Sequence, residues 1–386
     1  MSLASARWAL LAGNFAIGCG VMVVPGSLNS LVASLQVSAA VAGQLITAGA
    51  VAMGCGAPLL AMLLGSMDRR LLLTASLAWY AIGHAVCALV PGYAALLPLR
   101  ALAVLAAAVF TPQAAAAINV MAPEGERGRH MSFIFLGWSL ASVLGMPLHA
   151  WIGESFGWRW AFALVAVLAA AAAWGVWRTV PDGVKPPPMS LAGWGRVLRN
   201  PWLMALVGVT VLSGAGQFTL FSYMAPYYRD VLGASAGGIS FLFMWFGLFG
   251  LVGNVLLTRW IERLGAPRCV NLGLVGVGLA FLAWPWAGSL ALAALLLVPW
   301  ALGTFSSNSA QQARLSAAAP AVAPALLALN TSAIYAGQAL GAAGGGAILA
   351  AGGYGPMAAA ALAWVVAALV VSLLLARKAD VGRVDA

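Results

Sequence analysis

Long apolar runs occupy most of the chain and constrain its fold more than any other feature. Of the 386 residues, 63% are hydrophobic and only 7% are charged, whereas about 25% are charged in an ordinary soluble domain. A helix that crosses about 30 Å of hydrocarbon needs about 20 apolar residues. The charged side chains are too few to cover a soluble globule of this size, so the runs predict an integral membrane protein.

Twelve such runs are separated by charges, prolines or glycines. They predict an all-α protein with twelve transmembrane helices, at 8–31, 41–65, 71–90, 94–118, 132–153, 158–178, 203–227, 238–258, 268–286, 289–312, 325–350 and 354–376. Little sequence is left for a separate soluble domain. The first run is long, lacks a small-residue cleavage site and is followed by others, so we expect a membrane helix and not a signal peptide.

The basic residues predict the orientation of these helices. With the N-terminus inside, all but three of the 19 Lys and Arg residues fall on the inside; Arg159 and Arg229 fall outside, and Arg100 falls within a span. The asymmetry predicts a multi-pass protein of the bacterial inner (plasma) membrane with both termini cytoplasmic. It also accounts for most of the net charge of +10, so a nucleic-acid partner loses its support.

The longest inside connection divides the predicted helices into two sets of six. The predicted domains are an N-terminal six-helix bundle at 1–178, a cytoplasmic linker at 179–202 and a C-terminal six-helix bundle at 203–386. Asp68-Arg69 and Glu262-Arg263 fall in the same loop of each half. This correspondence favours two pseudo-symmetric halves.

Several short motifs follow one another in an order typical of one transporter family. In the first half they are Ala42 to Thr47 before Ala57-Pro58 in the second span, Asp68-Arg69-Arg70 in the loop after it, and Arg100 in the fourth span. Gly145-Met146-Pro147 in the fifth span is followed by Gly157-Trp158-Arg159. In the second half they are Glu262-Arg263-Leu264-Gly265 in the corresponding loop, then Gln311 with Arg314, and Asn330 with Ser332, which resemble the tenth and eleventh spans. The chain resembles the major facilitator superfamily, and within it the twelve-span drug:proton antiporters near the arabinose (sugar) efflux and purine-efflux permeases. The resemblance implies two pseudo-symmetric six-helix bundles and export of a small solute against protons.

No acidic residue falls deep in a predicted span, although members of this branch often carry one in the first span. A carboxylate at low dielectric is the usual device for exchanging a proton. Arg100 and His149 are therefore the predicted coupling residues, since an imidazole titrates near pH 6.5. Without a carboxylate to neutralise it, Arg100 is expected in a wet site. Alternatively, His149 is wetted at the outer interface and Arg100 reaches that interface; His84 is a further candidate.

Uncharged polar residues near the middle of the spans are candidates for solute binding. An amide or hydroxyl that faces lipid would leave its polar atoms unpaired, so each is expected to face protein or a cavity. Solute sites in such folds lie near the bilayer midplane. The predicted substrate-binding residues are Gln217, Gln338, Tyr335, Tyr223, Ser142, Ser139, Thr111, Gln113 and Asn308. Hydrogen bonding between helices alone stays the alternative for each.

Charged residues at the inside ends of the helices are predicted to gate the transporter. Asp68, Arg69, Arg70, Glu262 and Arg263 would latch the two halves together on the inside and release them when the protein opens inward. The alternative is that the basic residues only keep these loops inside.

The predicted function is secondary active transport by alternating access, exporting a small organic solute (a drug, a sugar or a nucleoside-like compound) by proton antiport. Uptake, or facilitated passage of a small neutral or anionic metabolite, is the alternative; an intramembrane enzyme, a channel and a non-transporting membrane partner are less favoured. Gly233 to Gly237 matches G-x-S-x-G without the His and acid partners that a nucleophile needs, so no catalytic residue is predicted. The predicted partners are the solute, protons and the lipid bilayer; no cofactor, metal or nucleic acid is expected, and the chain is expected to be a monomer.

Overall fold

A computed structural model describes residues 3–123, 126–185 and 191–384 of the chain. These residues form α-helices joined by short turns, and no strand occurs among them. The helices are α1 (Leu3–Gly26), α2 (Leu28–Leu35), α3 (Ala39–Leu63), α4 (Arg69–Leu89), α5 (Tyr93–Met121), α6 (Arg127–Leu140), α7 (Met146–Phe156), α8 (Trp158–Thr179), α9 (Leu191–Leu198), α10 (Pro201–Phe221), α11 (Met224–Asp230), α12 (Ala236–Leu264), α13 (Ala266–Ala283), α14 (Leu290–Ala318), α15 (Ala323–Gly352) and α16 (Met357–Val384).

Within the described part of the chain, twelve helical segments are long and apolar enough to cross a membrane. Each overlaps one predicted run, so the predicted all-α fold with twelve spans is confirmed. Several boundaries differ from the prediction, and two of them change how a span is described. The first helix ends at Gly26, and the separate helix α2 follows it. Helix α14 continues to Ala318, so Arg314, predicted beside an inside loop, lies within a helix and is buried.

Side chains that accept hydrogen bonds from free backbone N–H groups begin several spans, as is usual for helix N-termini. Ser38 accepts from the N–H of Val41 at 3.2 Å before α3. Asp68 accepts from Arg70 N–H at 2.9 Å before α4. Asn200 does the same for α10, where Pro201 occupies the first turn and needs no partner for an N–H. The helix starts are therefore encoded locally.

The fifth span is interrupted by a π-helical turn. Helix α6 leads into Ala141–Gly145, where the N–H of Met146 donates to the carbonyl of Ala141, five residues earlier. Pro147 follows in the first turn of α7. A proline has no N–H to donate and clashes with the preceding turn, so the wider turn fits the chain to Pro147.

The described helices group into two compact units. The first contains residues of 1–188 together with 235–244, and the second contains residues of 189–234 and 245–386. The start of α12 thus groups with the first unit. The predicted boundaries at 178 and 203, like the predicted orientation of the termini, stay predictions.

Small residues at corresponding places allow close helix contacts inside each unit. In the first unit, a Cβ on Gly145 would lie 2.6 Å from Cys19 Sγ, so the fifth span packs closely against α1. In the second unit, a Cβ on Gly341 would overlap the carbonyl oxygen of Ala215, so the eleventh span packs closely against α10. The first and fifth spans of one unit thus correspond to the seventh and eleventh of the other.

Two glycines turn the chain between the last two spans of each unit. Gly157 has a φ of 96° between α7 and α8, and Gly353 has a φ of 69° after α15. Only glycine adopts such angles at little cost. The 196-residue offset between them matches that between Gly145 and Gly341, which supports the internal repeat.

Candidate functional site

The second unit contains a cavity between helices α10, α13, α14 and α15. Its volume is about 100 Å³. Two helices supply its polar wall with the same spacing of i, i+3, i+4 and i+7, which places these residues on one face of a helix. The lining residues are Val209, Thr210, Ser213, Gly214, Gln217 and Phe218 of α10, Val270 and Leu274 of α13, Thr304, Ser307, Asn308 and Gln311 of α14, and Ile334 of α15.

Most side-chain donors on the polar wall already have a partner within the protein. The Nε2 of Gln217 donates to Ser213 Oγ at 2.9 Å. The Nε2 of Gln311 donates to the carbonyl oxygen of Leu206 at 2.7 Å. The hydroxyls of Thr304 and Ser307 donate to carbonyl oxygens one turn back in α14.

Acceptor atoms on this wall are left without a partner. The side chain of Gln311 is only 3% exposed, and its Oε1 is buried without a hydrogen-bond donor. Such an atom costs about 1–3 kcal/mol when it stays unsatisfied. Asn308 is exposed on α14 and contributes an amide that has both donors and an acceptor. The cavity therefore suits a ligand that donates hydrogen bonds.

No charged side chain lines this cavity. The guanidinium of Arg314, one turn beyond Gln311 on α14, is bonded elsewhere: it donates to Ser372 Oγ at 2.7 Å and to the carbonyl oxygen of Ser372 at 3.2 Å. Ser372 donates in turn to Asn271 Oδ1 at 2.6 Å. The site can thus form directed hydrogen bonds with a solute but offers no counter-ion for a charged one.

The structure brings together two of the predicted binding residues of this unit. Gln217 and Asn308 both line the cavity. Gln338 and Tyr335 are buried on α15 outside its lining, and Tyr223 donates to the carbonyl oxygen of Ala342 at 2.7 Å. The sequence reasoning did not select Thr210, Ser213, Thr304, Ser307 and Gln311 as binding residues. The repeated seven-residue polar pattern in two apolar helices was the signal that could have found them.

Two of the predicted binding residues of the first unit bond to other side chains or backbone atoms of that unit. Thr111 donates to Asn14 Oδ1 at 2.9 Å and accepts from Trp138 Nε1 at 3.2 Å. Ser142 donates to the carbonyl oxygen of Trp138 at 3.2 Å. Gln113 is buried on α5, and Ser139 is partly buried on α6. Thr111 therefore joins α1, α5 and the fifth span, whereas Ser142 bonds within the fifth span.

Arg100 forms a buried network that the sequence did not predict. Its side chain is 3% exposed. One terminal nitrogen lies 2.8 Å from His84 Nε2, and the other donates to the carbonyl oxygen of Gly20 at 2.6 Å. His84 Nδ1 lies 2.8 Å from the carbonyl oxygen of Tyr80. The expectations that Arg100 lies in a wet site or reaches the outer interface are both wrong, because neighbouring helices enclose it.

The bonding partners fix the proton on His84. Arginine can only donate, so His84 Nε2 must accept from Arg100. A carbonyl oxygen can only accept, so Nδ1 must carry the hydrogen that binds Tyr80. His84 is therefore neutral in this arrangement. A proton on Nε2 would remove the acceptor and place a second positive charge beside the guanidinium.

His149 lies in the same region of the first unit, close enough to Arg100 and His84 for an electrostatic interaction. Its side chain is fully buried within the unit. The alternative that His149 is wetted at the interface is thus wrong. Three basic side chains cluster in this part of the chain, and no carboxylate of the described residues joins them.

The predicted gating residues of the first unit are bonded within that unit. Asp68 caps α4, and its second oxygen accepts from Gly183 N–H at 2.7 Å. Arg69 donates to the carbonyl oxygens of Met67 and Gly65. Arg70 stacks on Trp177 and pairs with Asp182 at 2.7 Å. Together these contacts tie the start of α4 to the segment that follows α8.

Glu262 and Arg263 are arranged differently. Both are exposed in the last turn of α12. An acidic side chain is favoured at a helix N-terminus and disfavoured at the C-terminus. The rationale that applies to Asp68, which caps a helix start, therefore does not apply to Glu262.

Comparison with known proteins gives a consistent result. The sequence matches the profile of the Major Facilitator Superfamily over residues 10–342. It is 30% identical over 342 residues to the inner membrane transport protein YdhP of Escherichia coli (strain K12), covering 88% of this chain and 87% of that protein. It is 32% identical over 180 residues to a probable sugar efflux transporter of Mannheimia succiniciproducens, covering 47% of this chain and 45% of that protein. The fold is similar to the crystal structure of a D-xylose-proton symporter, with a TM-score of 0.78, 18% identity and 97% of each chain covered.

Proposed function

The chain belongs to the Major Facilitator Superfamily, and on this premise we propose that it exports a small uncharged solute bearing hydroxyl groups, in exchange for protons. Its family and its relatives are membrane transporters of small molecules and not enzymes. The solute class, the direction of transport and the coupling ion are the proposed part.

The uncharged, acceptor-rich cavity of the second unit carries the proposal for the solute. Gln311 Oε1 has no donor, and Asn308 presents a whole amide. A hydroxyl group of a sugar or nucleoside would satisfy such acceptors, whereas a cation or an anion would enter without a counter-ion. Apolar residues such as Val209, Leu274 and Ile334 complete the wall against the carbon skeleton of the solute.

The relatives support export as the direction. One relative in the comparison is named a probable sugar efflux transporter. The motif order of the sequence resembles the drug:proton antiporter branch, which agrees with that name. The gating role of Asp68, Arg69, Arg70, Glu262 and Arg263, and the division into bundles at 1–178 and 203–386, belong to the same proposal.

The basic cluster of the first unit is the proposed coupling device. A proton that arrives at His84 Nε2 cannot be accommodated while Arg100 donates to that nitrogen at 2.8 Å. Protonation would therefore separate Arg100 from His84 and free the guanidinium to rearrange. His149 is the neighbouring imidazole that can take or give the proton.

The test uses purified protein in liposomes that enclose a pH-sensitive dye. Uncharged pentoses, hexoses and nucleosides are added outside, beside charged analogues such as hexuronates and quaternary amines. Antiport predicts that an uncharged solute entering the liposome drives protons out and makes the lumen alkaline. A Gln217→Leu/Asn308→Ala variant should lose this response. A Gln44→Leu variant, which alters a glutamine of α3 outside the cavity, should keep it.

Three results would contradict parts of the proposal. Acidification of the lumen would indicate symport. Solute entry without a pH change would indicate a facilitated carrier without proton coupling. A response only to charged analogues would show that the uncharged cavity is not the solute site.

A further inference from the structure

A second cavity lies at the start of two helices in the first unit. Its volume is about 350 Å³, and it is lined by Arg7 of α1 and by Arg129, Ser132, Phe133 and Leu136 of α6. None of these residues belongs to the proposed solute or coupling sites. The cavity is open to the surface, since Arg129, Ser132 and Leu136 are exposed.

Both arginines of this cavity lack an anionic partner among the described residues. Arg7 stacks on Phe133, with its guanidinium carbon 4.7 Å from the ring centre, and its Nε is buried without an acceptor. Arg129 is exposed on the adjacent helix. Glu126, a nearby carboxylate, lies 3.3 Å from His130. The side chains of two arginines without an anionic partner therefore line one space.

The helix starts add to the positive potential. Arg7 lies in the second turn of α1, which begins at Leu3, and Arg129 is the third residue of α6. Free N–H groups and the positive end of the helix dipole favour an anion at such positions. The cavity thus combines two arginines with two helix N-termini.

An exposed apolar stripe runs from the cavity along the fifth span. Leu136, Leu140, Leu144 and Leu148 are spaced four residues apart, and their exposed fractions are 43%, 38%, 54% and 40%. The stripe is about 18 Å long at the usual rise of an α-helix. At its head, Trp8 is 58% exposed and its ring centre lies 4.8 Å from that of Phe133. An aromatic ring at this level is typical of a membrane interface.

We propose that this cavity binds the headgroup phosphate of an anionic phospholipid, with an acyl chain along the leucine stripe. Arginine matches the geometry of phosphate oxygens, and basic pockets between spans on the cytoplasmic side bind such headgroups. A free phosphate shares the anionic chemistry but would leave the stripe uncovered, so the lipid is the favoured source. The site joins the first span to the fifth and does not depend on the proposed function.

The test measures lipid binding to the detergent-purified full chain by native mass spectrometry. Phosphatidylglycerol is compared with phosphatidylcholine, whose headgroup has no net charge, and with inorganic phosphate. Arg7→Gln and Arg129→Gln should each weaken phosphatidylglycerol binding roughly fivefold, and together about thirtyfold. Arg129 is exposed, so its variant tests the site even if the Arg7 variant does not fold.

Arg268→Gln provides the matched control. Arg268 is exposed and is the third residue of α13, as Arg129 is of α6. This variant should bind phosphatidylglycerol like the unaltered chain. Equal binding by the Arg129→Gln variant, or equal binding of phosphatidylcholine, would overturn the proposal. Displacement of phosphatidylglycerol by inorganic phosphate at equal concentration would assign the site to free phosphate and overturn the lipid source.

Discussion

The two units treat their buried polar groups in opposite ways. In the first, Arg100 is enclosed and bonded to His84 and Gly20. In the second, Gln217, Asn308 and Gln311 are uncharged and border an open cavity. A buried charge at low dielectric is costly unless its polar atoms have hydrogen-bond partners. Neighbouring polar groups therefore pack against it. A neutral amide can leave space for a ligand.

This difference agrees with the proposal that the first unit exchanges protons and the second unit binds the solute. Each unit repeats the same close packing between its first and fifth spans, at Gly145 in one and Gly341 in the other. The helix packing of the two units is thus alike, and the polar residues on the packed helices differ. The following experiments can break or refine this contrast.

The largest effect is expected when Arg100 is removed. In the Arg100→Met variant, His84 Nε2 and the Gly20 carbonyl lose their donor within a buried site, at about 1–3 kcal/mol for each unsatisfied group. We expect a clear fall in thermal stability and a loss of transport in liposomes. Arg178→Met, which alters an exposed arginine stacked on Trp174, should change stability little. A variant of Arg100 as stable as that control would show that the network is not needed.

A smaller effect is expected from the cavity. Gln311→Leu removes an acceptor from its wall and should weaken the apparent affinity for solute about tenfold, the equivalent of one hydrogen bond to a buried polar group. Gln312→Leu changes the next residue of α14, which does not line the cavity, and should leave the affinity unchanged. Solute counterflow at varied concentration measures both. Equal affinities in the two variants would remove the second unit from solute binding.

The pH dependence of transport should separate the units further. His84→Asn and His149→Asn are expected to flatten the dependence of export on pH, because both remove an imidazole of the basic cluster. Solute counterflow, which needs no net proton movement, should persist in both. The Gln311→Leu variant should keep the pH dependence of the unaltered chain. The opposite pattern, with a pH effect only in the cavity variant, would reverse the proposed division.

The smallest effect on stability is expected from a hydrogen bond of the turn between α15 and α16, outside the spans. Tyr354 donates to Asp230 Oδ2 at 3.1 Å in the second unit. Burial, together with the Asp230 carboxylate, raises the pKa of Tyr354. Since the unfolded tyrosine has a pKa of about 10, this contact stabilises the protein below that pH and its contribution is lost as the pH rises further.

Tyr354→Phe should therefore lower stability by at most about 1 kcal/mol at neutral pH, and the difference should shrink above about pH 10. For comparison, the contact of Arg70 with Asp182 at 2.7 Å in the first unit involves no tyrosine hydroxyl. An Asp182→Asn variant should thus differ from the unaltered chain by the same amount at both pH values. Thermal unfolding measured from neutral to alkaline pH checks both expectations.

Much of the fold could be read from the sequence, and less of the site. The twelve spans follow from run length, and starts such as those at Asp68 and Asn200 follow from local capping chemistry. Gln217 and Asn308 were predicted on the simple ground that amides avoid lipid, and both line the cavity. The same ground selected Gln338 and Tyr335, which lie outside its lining. The rule that amides avoid lipid does not predict which neighbouring helix each face of a span contacts.

The sequence by itself determined that the chain is a membrane protein of twelve helices, because hydrocarbon forces every backbone polar group into a helix. It also supplied the motif order that marks the family. Only the tertiary structure decided that His84 contacts Arg100 and that Gln311 and Gln217 line the same cavity. These spans are apolar on nearly every side, so their periodicity does not reveal an inward face. The meeting of polar groups depends on how separate helices are rotated and packed against one another.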